Sequence, residues 1–266
     1  MTINTEDFVF LRQGKIIQEF GTEDKPMLAP IDVRGPEKTH ALMLLHGFGA
    51  TPAVYRAMLP TLSTQYDAVV GPIFPGHCEN LEAFAKANDK VWYETAEQTY
   101  LALTKEYQHV DVMGLSLGGL IACQLSQKYT IHHLYLLAPA LSLKIFAVKP
   151  LLILAKIMRA LNIKSLTNQG ANLHASQYAE LLYKKLPLSA IIAIFKRIDG
   201  YSWWRPTCPT DLFLGYFDEV VDSPKIAKKF AKKPNINIHW LMNSAHILPL
   251  DGDIDGILDV VSQHTL

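Results

Sequence analysis

Short apolar runs alternate with longer amphipathic ones along most of the chain. Residues 40–45, His40-Ala41-Leu42-Met43-Leu44-Leu45, form an apolar run ending at Gly47, as a strand buried on both faces does. Thr51-Pro52 opens a helix predicted over 52–63, because proline is tolerated in a first helical turn. A second strand is expected at 68–70, closed by Pro72 and Pro75-Gly76, and helical periodicity follows over 91–107. The alternation continues with a strand at 109–115, a helix at 117–129 and a strand at 133–137 that ends at Pro139. A strand at 211–215, a helix at 224–231, a strand at 236–242 and a helix at 254–262 complete it. This order predicts an α/β fold: a mostly parallel twisted sheet with helices on both faces.

Two regions break the alternation. Residues 8–11 and 15–20, separated by Gln13-Gly14, read as an antiparallel hairpin at the sheet edge. Between about 141 and 205 the helical runs 150–161 and 178–186 have no strand between them. A helical insertion there is expected to form a cap over the carboxyl ends of the strands, where α/β proteins bind ligands. The expected organisation is one domain, 1–266, with its core in 1–140 and 206–266 and the cap at about 141–205.

Composition narrows the function classes. The 25 Lys+Arg balance 25 Asp+Glu, so no overall basic excess points to nucleic acid. Hydrophobic residues make up 49% of the chain, far too many for a disordered one. Cys78, Cys123 and Cys208 are too few and too scattered for a disulfide framework or a structural zinc site. The first ten residues carry Glu6 and Asp7 and no basic cluster before an apolar run, so a cytoplasmic protein is expected. Lys149, Pro150, Lys156 and Arg159 interrupt the longest apolar stretches, so no transmembrane segment is expected.

The sharpest chemical signal is Gly114-Leu115-Ser116-Leu117-Gly118-Gly119. It is a G-x-S-x-G motif lying after a strand and before a helix, the setting in which a serine projects from a sharp turn at the top of the sheet. A serine needs a base, and the base an orienting acid. His246 follows the last strand across Asn243-Ser244-Ala245, on the side of the sheet where Ser116 is expected. Asp218 follows strand 211–215, with Glu219 and Asp222 as local competitors, and the order Ser116, Asp218, His246 suits this architecture. The backbone N–H groups of Leu117 and of Phe48, in His46-Gly47-Phe48-Gly49, are the expected oxyanion donors.

With these residues the chain resembles the α/β-hydrolase superfamily over nearly its whole length. Within it, the chain is most similar to small carboxylesterases and monoacylglycerol-lipase-like enzymes. The likeness rests on residues 44–48, 72–77, 114–119, 214–221 and 244–251. Such enzymes hydrolyse carboxylic esters through an acyl-serine intermediate, so the resemblance implies a small-molecule ester substrate. Cys78 stands where the family usually has glycine, and Ala245 where many relatives have glycine.

The remaining features have simpler readings. His77 is expected to order a loop, Cys123 to lie in the core, and Asp251 or Asp253 to cap the last helix. His132-His133 has no carboxylate at ligand spacing and is read as structural. No phosphate loop or dinucleotide fingerprint is present, and no metal or organic cofactor is implied. On helix 150–161, Leu151, Leu154, Met158 and Leu161 can share a face. That face can cover the core, line an acyl pocket or rest on a membrane surface. The alternatives to a carboxylesterase are a monoacylglycerol lipase or lysophospholipase, and an acyltransferase, thioesterase or carbon–carbon hydrolase with the same triad. A non-catalytic binding protein of the same fold is the alternative of another class.

Overall fold

The computed structural model describes residues 3–144, 147–202 and 204–265. Ile145, Phe146 and Trp203, which the expected cap spans, lie outside the described residues. In chain order the strands are β1 (Phe8–Arg12), β2 (Lys15–Glu19), β3 (Ile31–Arg34), β4 (His40–Leu45), β5 (Ala68–Gly71), β6 (His109–Leu115), β7 (Leu134–Leu137), β8 (Ser165–Thr167), β9 (Glu180–Tyr183), β10 (Lys185–Pro187), β11 (Thr210–Gly215) and β12 (Ile236–Leu241). The α-helices are α1 (Leu59–Gln65), α2 (Leu81–Lys86), α3 (Asp89–Glu106), α4 (Leu117–Lys128), α5 (Val148–Ala160), α6 (Leu188–Gly200), α7 (Ser223–Phe230) and α8 (Ile254–Ser262).

Seven strands form the main sheet in the order β12-β11-β7-β6-β4-β5-β3. Every pairing is parallel except that of β3 with β5, which makes an antiparallel edge. The central strands are apolar at consecutive positions because helices cover both faces; Leu42, Met43, Val112, Met113, Leu136 and Phe213 are fully buried. Each such side chain contributes about 1.5–3 kcal/mol by leaving water. Polar caps fix where the helices start. Asn88 Oδ1 accepts the N–H groups of Lys90 and Val91, which places the start of α3 two residues before the periodicity suggests.

Several expectations need correction. The helix expected over 52–63 divides into a 3-10 turn, Pro52–Tyr55, and α1. Pro60 has no N–H to give the preceding turn and its ring crowds the carbonyl four residues back, so the helix restarts there. The hairpin β1–β2 forms, but away from the edge of the main sheet. It joins β9 in a separate three-stranded sheet, with Phe8 opposite Tyr183 and Leu11 opposite Glu180. The helix expected over 178–186 is therefore β9 and β10, and the insertion holds three strands that its sequence did not announce. Its apolar run Leu181-Leu182-Tyr183 is buried against β1, a partner some 170 residues earlier that local periodicity cannot register. Helix α6 begins directly after Pro187 and packs against α5.

Candidate active site

Ser116 ends β6 and immediately precedes α4. Its backbone has φ 53° and ψ −110°, a left-handed conformation that costs about 1–3 kcal/mol for a non-glycine residue. The surroundings impose it. The Ser116 N–H donates to Leu137 O at 2.9 Å, and its own carbonyl accepts the N–H groups of Leu120 at 3.0 Å and Ala140 at 2.9 Å. The turn also presses α4 onto the end of β4. A Cβ on Gly118 would collide with the Leu45 carbonyl, so any larger residue there displaces the turn.

Asp218 and His246, the expected acid and base, meet at the carboxyl ends of β11 and β12. Asp218 Oδ2 accepts the Nδ1 hydrogen of His246 at 2.8 Å, and both side chains are buried. Asp218 Oδ1 is held by the N–H groups of Val220 at 2.7 Å and Val221 at 2.9 Å. The carboxylate therefore has fixed orientation, and it sets the histidine tautomer, leaving Nε2 as the free base position. Gly215 permits the approach of the two loops, since a Cβ there would strike the Ala245 carbonyl. Burial lowers the His246 pKa, but Asp218, by charge and by hydrogen bond, with help from Glu180, carries it above its ordinary value. Of the local competitors to Asp218, Asp222 caps α7 through Lys225 N, and Glu219 lines the cavity without bonding to His246.

Residues that the sequence did not single out tie these loops to the insertion. Asn172 O accepts the His246 N–H at 3.1 Å, Asn172 Nδ2 donates to Phe217 O at 2.6 Å, and Asn172 Oδ1 accepts the Glu219 N–H at 3.2 Å. Asp251 or Asp253 is expected to cap the last helix, yet neither side chain makes a capping bond to α8. Asp253 stands at the capping position with no capping bond, and its carboxylate instead holds Asn243 and Ser244. Asp251 accepts four backbone N–H groups: His174 and Ala245 on Oδ2, Ala175 and Gly252 on Oδ1. Both aspartates thus shape the loop that carries His246. A carboxylate saturated by backbone donors leaves no periodic trace, which is why sequence reasoning misassigned it.

The loop with Phe48 is pinned on both sides by buried histidines. His46 Nε2 accepts the Phe74 N–H at 3.1 Å, so its Nδ1 hydrogen donates to Gly47 O at 2.9 Å. His77 Nε2 accepts the Gly49 N–H at 3.0 Å, in keeping with the loop-ordering role expected of it. Burial pushes His46 down to about 4 and His77 well below its ordinary value, so both stay neutral and keep these acceptors. The insertion adds a third tie, from Tyr183 N to Gly49 O at 3.3 Å. Cys78, in the neighbouring loop, has φ 61°, the conformation that glycine tolerates at its family position. Among the described residues the N–H groups of Phe48 and Leu117 have no acceptor, and Leu117, as the first residue of α4, has none available within its helix.

Ser116 and His246 open on one cavity of about 480 Å³, which Gly47 and Phe48 also line. The Ser116 hydroxyl makes no hydrogen bond among the described residues, so Ser116 and His246 share a wall without a hydrogen bond between them. The rest of the wall is mostly apolar: Leu151, Leu154 and Met158 from α5, and Ile191, Ile194 and Phe195 from α6. The expected apolar face of helix 150–161 therefore divides. Its first three members line the cavity, whereas Leu161 is 72% exposed.

Residues 40–211 match the family described as alpha/beta hydrolase fold. The chain belongs to the α/β-hydrolase fold family. It is 23% identical over 227 residues to the thermostable monoacylglycerol lipase of Bacillus sp. (strain H-257), covering 82% of this chain and 87% of that one. A shorter likeness, 32% over 83 residues, links it to the pimeloyl-[acyl-carrier protein] methyl ester esterase of Edwardsiella ictaluri (strain 93-146), covering 31% and 29% of the two chains. Among solved structures, a metagenome-derived lipolytic enzyme described with LipS and LipT superposes with a TM-score of 0.74 at 21% identity, covering 90% of this chain and 98% of that one. The monoacylglycerol lipase of Paleococcus ferrophilus gives a TM-score of 0.69 at 16% identity, covering 89% and 99%. The protein is thus an α/β hydrolase with lipase and esterase relatives. Among its described residues no helix is long and apolar enough to cross a membrane.

One further group in this α/β hydrolase belongs with the site and was missed in the sequence. Glu180, the first residue of β9, lines the same cavity and is buried. Burial raises its carboxyl to about 7, against the Ala171 N–H and the nearby His246 and Arg56, which favour the ionised form. Its signal was hidden because β9 had been read as helix.

Proposed function

We propose that the protein is a serine carboxylic-ester hydrolase working through an acyl-serine intermediate, with residues 1–266 forming one domain whose segment of about 141–205 caps the cavity. One observation carries the proposal: His246, held by Asp218 at 2.8 Å, faces the same cavity as the strained Ser116. Neutral His246 takes the Ser116 hydroxyl proton at Nε2 while Oγ attacks the ester carbonyl. The N–H groups of Phe48 and Leu117 hold the tetrahedral oxyanion, each donor contributing about 3 kcal/mol where such groups have been removed. The Nε2 hydrogen then passes to the leaving alkoxide, and Asp218 stabilises the imidazolium in between. Water, deprotonated by His246, attacks the acyl-enzyme and restores the serine.

Within that class, the cavity wall and α5 favour an acyl lipid. Ile153, Leu154 and Ile157 are each more than half exposed, and with Leu161 they form an apolar strip beside the cationic Lys149, Lys156 and Arg159. Such a strip suits contact with a lipid surface next to the cavity. Glu180, with Asn168 and Glu219, supplies polar points in the mostly apolar wall, suited to a hydroxyl on the alcohol half of a monoester. An acyl-length series of p-nitrophenyl esters, run on wild type and Ser116→Ala, tests both levels. Each methylene buried adds about 0.8 kcal/mol, so kcat/KM should climb about fourfold per methylene until the cavity is full. A maximum at about ten carbons or more supports the lipid-directed reading, and a maximum at acetyl or butyryl the short-chain one. Hydrolysis that persists in Ser116→Ala contradicts the acyl-serine route.

A further inference from the structure

Six of the ten histidines gather near the opposite, amino-terminal end of the strands, far from Ser116. They surround two buried aspartates, Asp111 on β6 and Asp211 on β11. His132-His133 was read as structural because no carboxylate lies at ligand spacing in the sequence, but folding brings one to each of them. Asp111 Oδ1 meets His132 Nδ1 at 2.8 Å, and Asp211 Oδ2 meets His133 Nε2 at 2.7 Å.

The surroundings of Asp211 have the features of a metal site. Its Oδ1 is occupied by His239 Nε2 at 2.6 Å and Asn237 Nδ2 at 3.2 Å. That fixes the carboxylate plane and turns Oδ2 toward two further imidazoles, as outer partners orient a ligating carboxylate. His133 Nε2 and His264 Nε2, the latter 3.3 Å away, converge on Oδ2. All three donor atoms lie within 4.8 Å of one another. The rings of His133 and His264 pack against each other, 4.1 Å apart between centroids. A cavity of about 440 Å³ opens there, lined by His132, His133, His264 and Asn237 among others.

We propose that His133, Asp211 and His264 form a binding site for a first-row transition-metal dication, with Zn2+ the natural occupant. Two imidazole nitrogens and one carboxylate oxygen suit Zn2+ or Co2+ and not Mg2+ or Ca2+, which take oxygen donors. Ligands about 2.0–2.1 Å from a tetrahedral centre stand about 3.3 Å apart. The His264–Asp211 pair already has that spacing, and His133–Asp211 must open from 2.7 Å to about 3.3 Å. The fourth position faces the cavity, where a water can complete the shell. The neighbouring group His40–Asp111–His132 is less suited, because Asp111 Oδ2 already accepts the Tyr66 hydroxyl at 2.8 Å. A metal at Asp211 ties the segment after α8 to β7 and β11, so its effect falls on stability and leaves the ester chemistry alone.

The test uses the full-length, tag-free protein after chelator treatment. Calorimetric titration with Zn2+ should saturate at one ion per chain and raise Tm, and Co2+ should give the visible absorption of a tetrahedral site. His264→Gln, on the last turn of the chain, should keep the fold and weaken Zn2+ binding about 100-fold or more; His239→Gln, in the outer shell, should weaken it about 10–100-fold. Ester hydrolysis should be unchanged in both. Absence of Zn2+ binding by the wild type overturns the proposal. So does binding that survives both His264→Gln and His133→Gln, or equal binding of Mg2+.

Discussion

Each end of the main sheet sets a buried aspartate against histidine, and the two ends do it differently. At the carboxyl end, Asp218 serves one imidazole and two backbone N–H groups, beside an apolar cavity and a strained serine. At the amino end, Asp211 faces three imidazoles and an amide, with no serine or threonine hydroxyl among its hydrogen-bond partners in the described residues. A carboxylate devoted to one histidine polarises that ring and fixes its tautomer, which proton transfer requires. A carboxylate divided among three favours none of them as a base. It does gather nitrogen and oxygen donors around a point, which metal binding requires. The same two residue types therefore support different chemistry according to how many partners the backbone brings to each carboxylate.

Substitutions should separate the two ends. Ser116→Ala and His246→Ala should each lower kcat for p-nitrophenyl ester hydrolysis by about 10⁶-fold, and Asp218→Asn by about 10⁴-fold. Asp211→Asn, if it folds, should leave kcat within a few-fold; a loss as large as that of Asp218→Asn would erase the distinction between the ends. A smaller effect is expected from Asp251→Asn, which exchanges acceptor oxygens for an amide facing backbone donors. Loosening of the His246 loop should then cost about 10–100-fold in kcat with little change in KM, the scale of an ångström-level misplacement. An unchanged kcat would show that the loop is held by other contacts.

The pH dependence is subtler. In the proposed mechanism His246 acts as a neutral base, and its pKa is raised, so activity should rise with pH through a midpoint above 6.5. Glu180→Gln removes a charge that favours the imidazolium and should shift that limb to lower pH. Stability should respond as well. The Glu180 carboxyl is raised from 4.5 to about 7 in the fold, so its contribution is fully present below about 4.5 and is lost as pH rises through 7. Thermal unfolding of Glu180→Gln should match wild type at low pH and exceed it above pH 7 by about 3 kcal/mol. Equal stability at both ends of that range would mean that Glu180 ionises in the fold as it does in water.

Much of this was readable in the sequence where local chemistry dictates it. The alternation of strands and helices predicted the parallel sheet, and G-x-S-x-G between β6 and α4 marked the sharp turn at Ser116. Expectation failed where distant partners decide. The run Leu181-Leu182-Tyr183 looks equally like helix or strand until β1 lies beside it. With β9 misread, Glu180 could not be seen as part of the cavity. The role of Asp251 was invisible for the same reason, because its four donors come from two loops about 70 residues apart. The carboxylates beside His132 and His133 sit 21 and 78 residues away in the chain, beyond any spacing rule.

The central claim is that Ser116 is a nucleophile activated by His246. Incubating the folded protein with a fluorophosphonate and mapping the adduct by peptide mass spectrometry tests it most directly. A single adduct on the peptide containing Ser116, formed rapidly in wild type and far more slowly in His246→Ala, is the expected result. A folded wild-type protein that takes no label, or takes it at another serine, would contradict the claim.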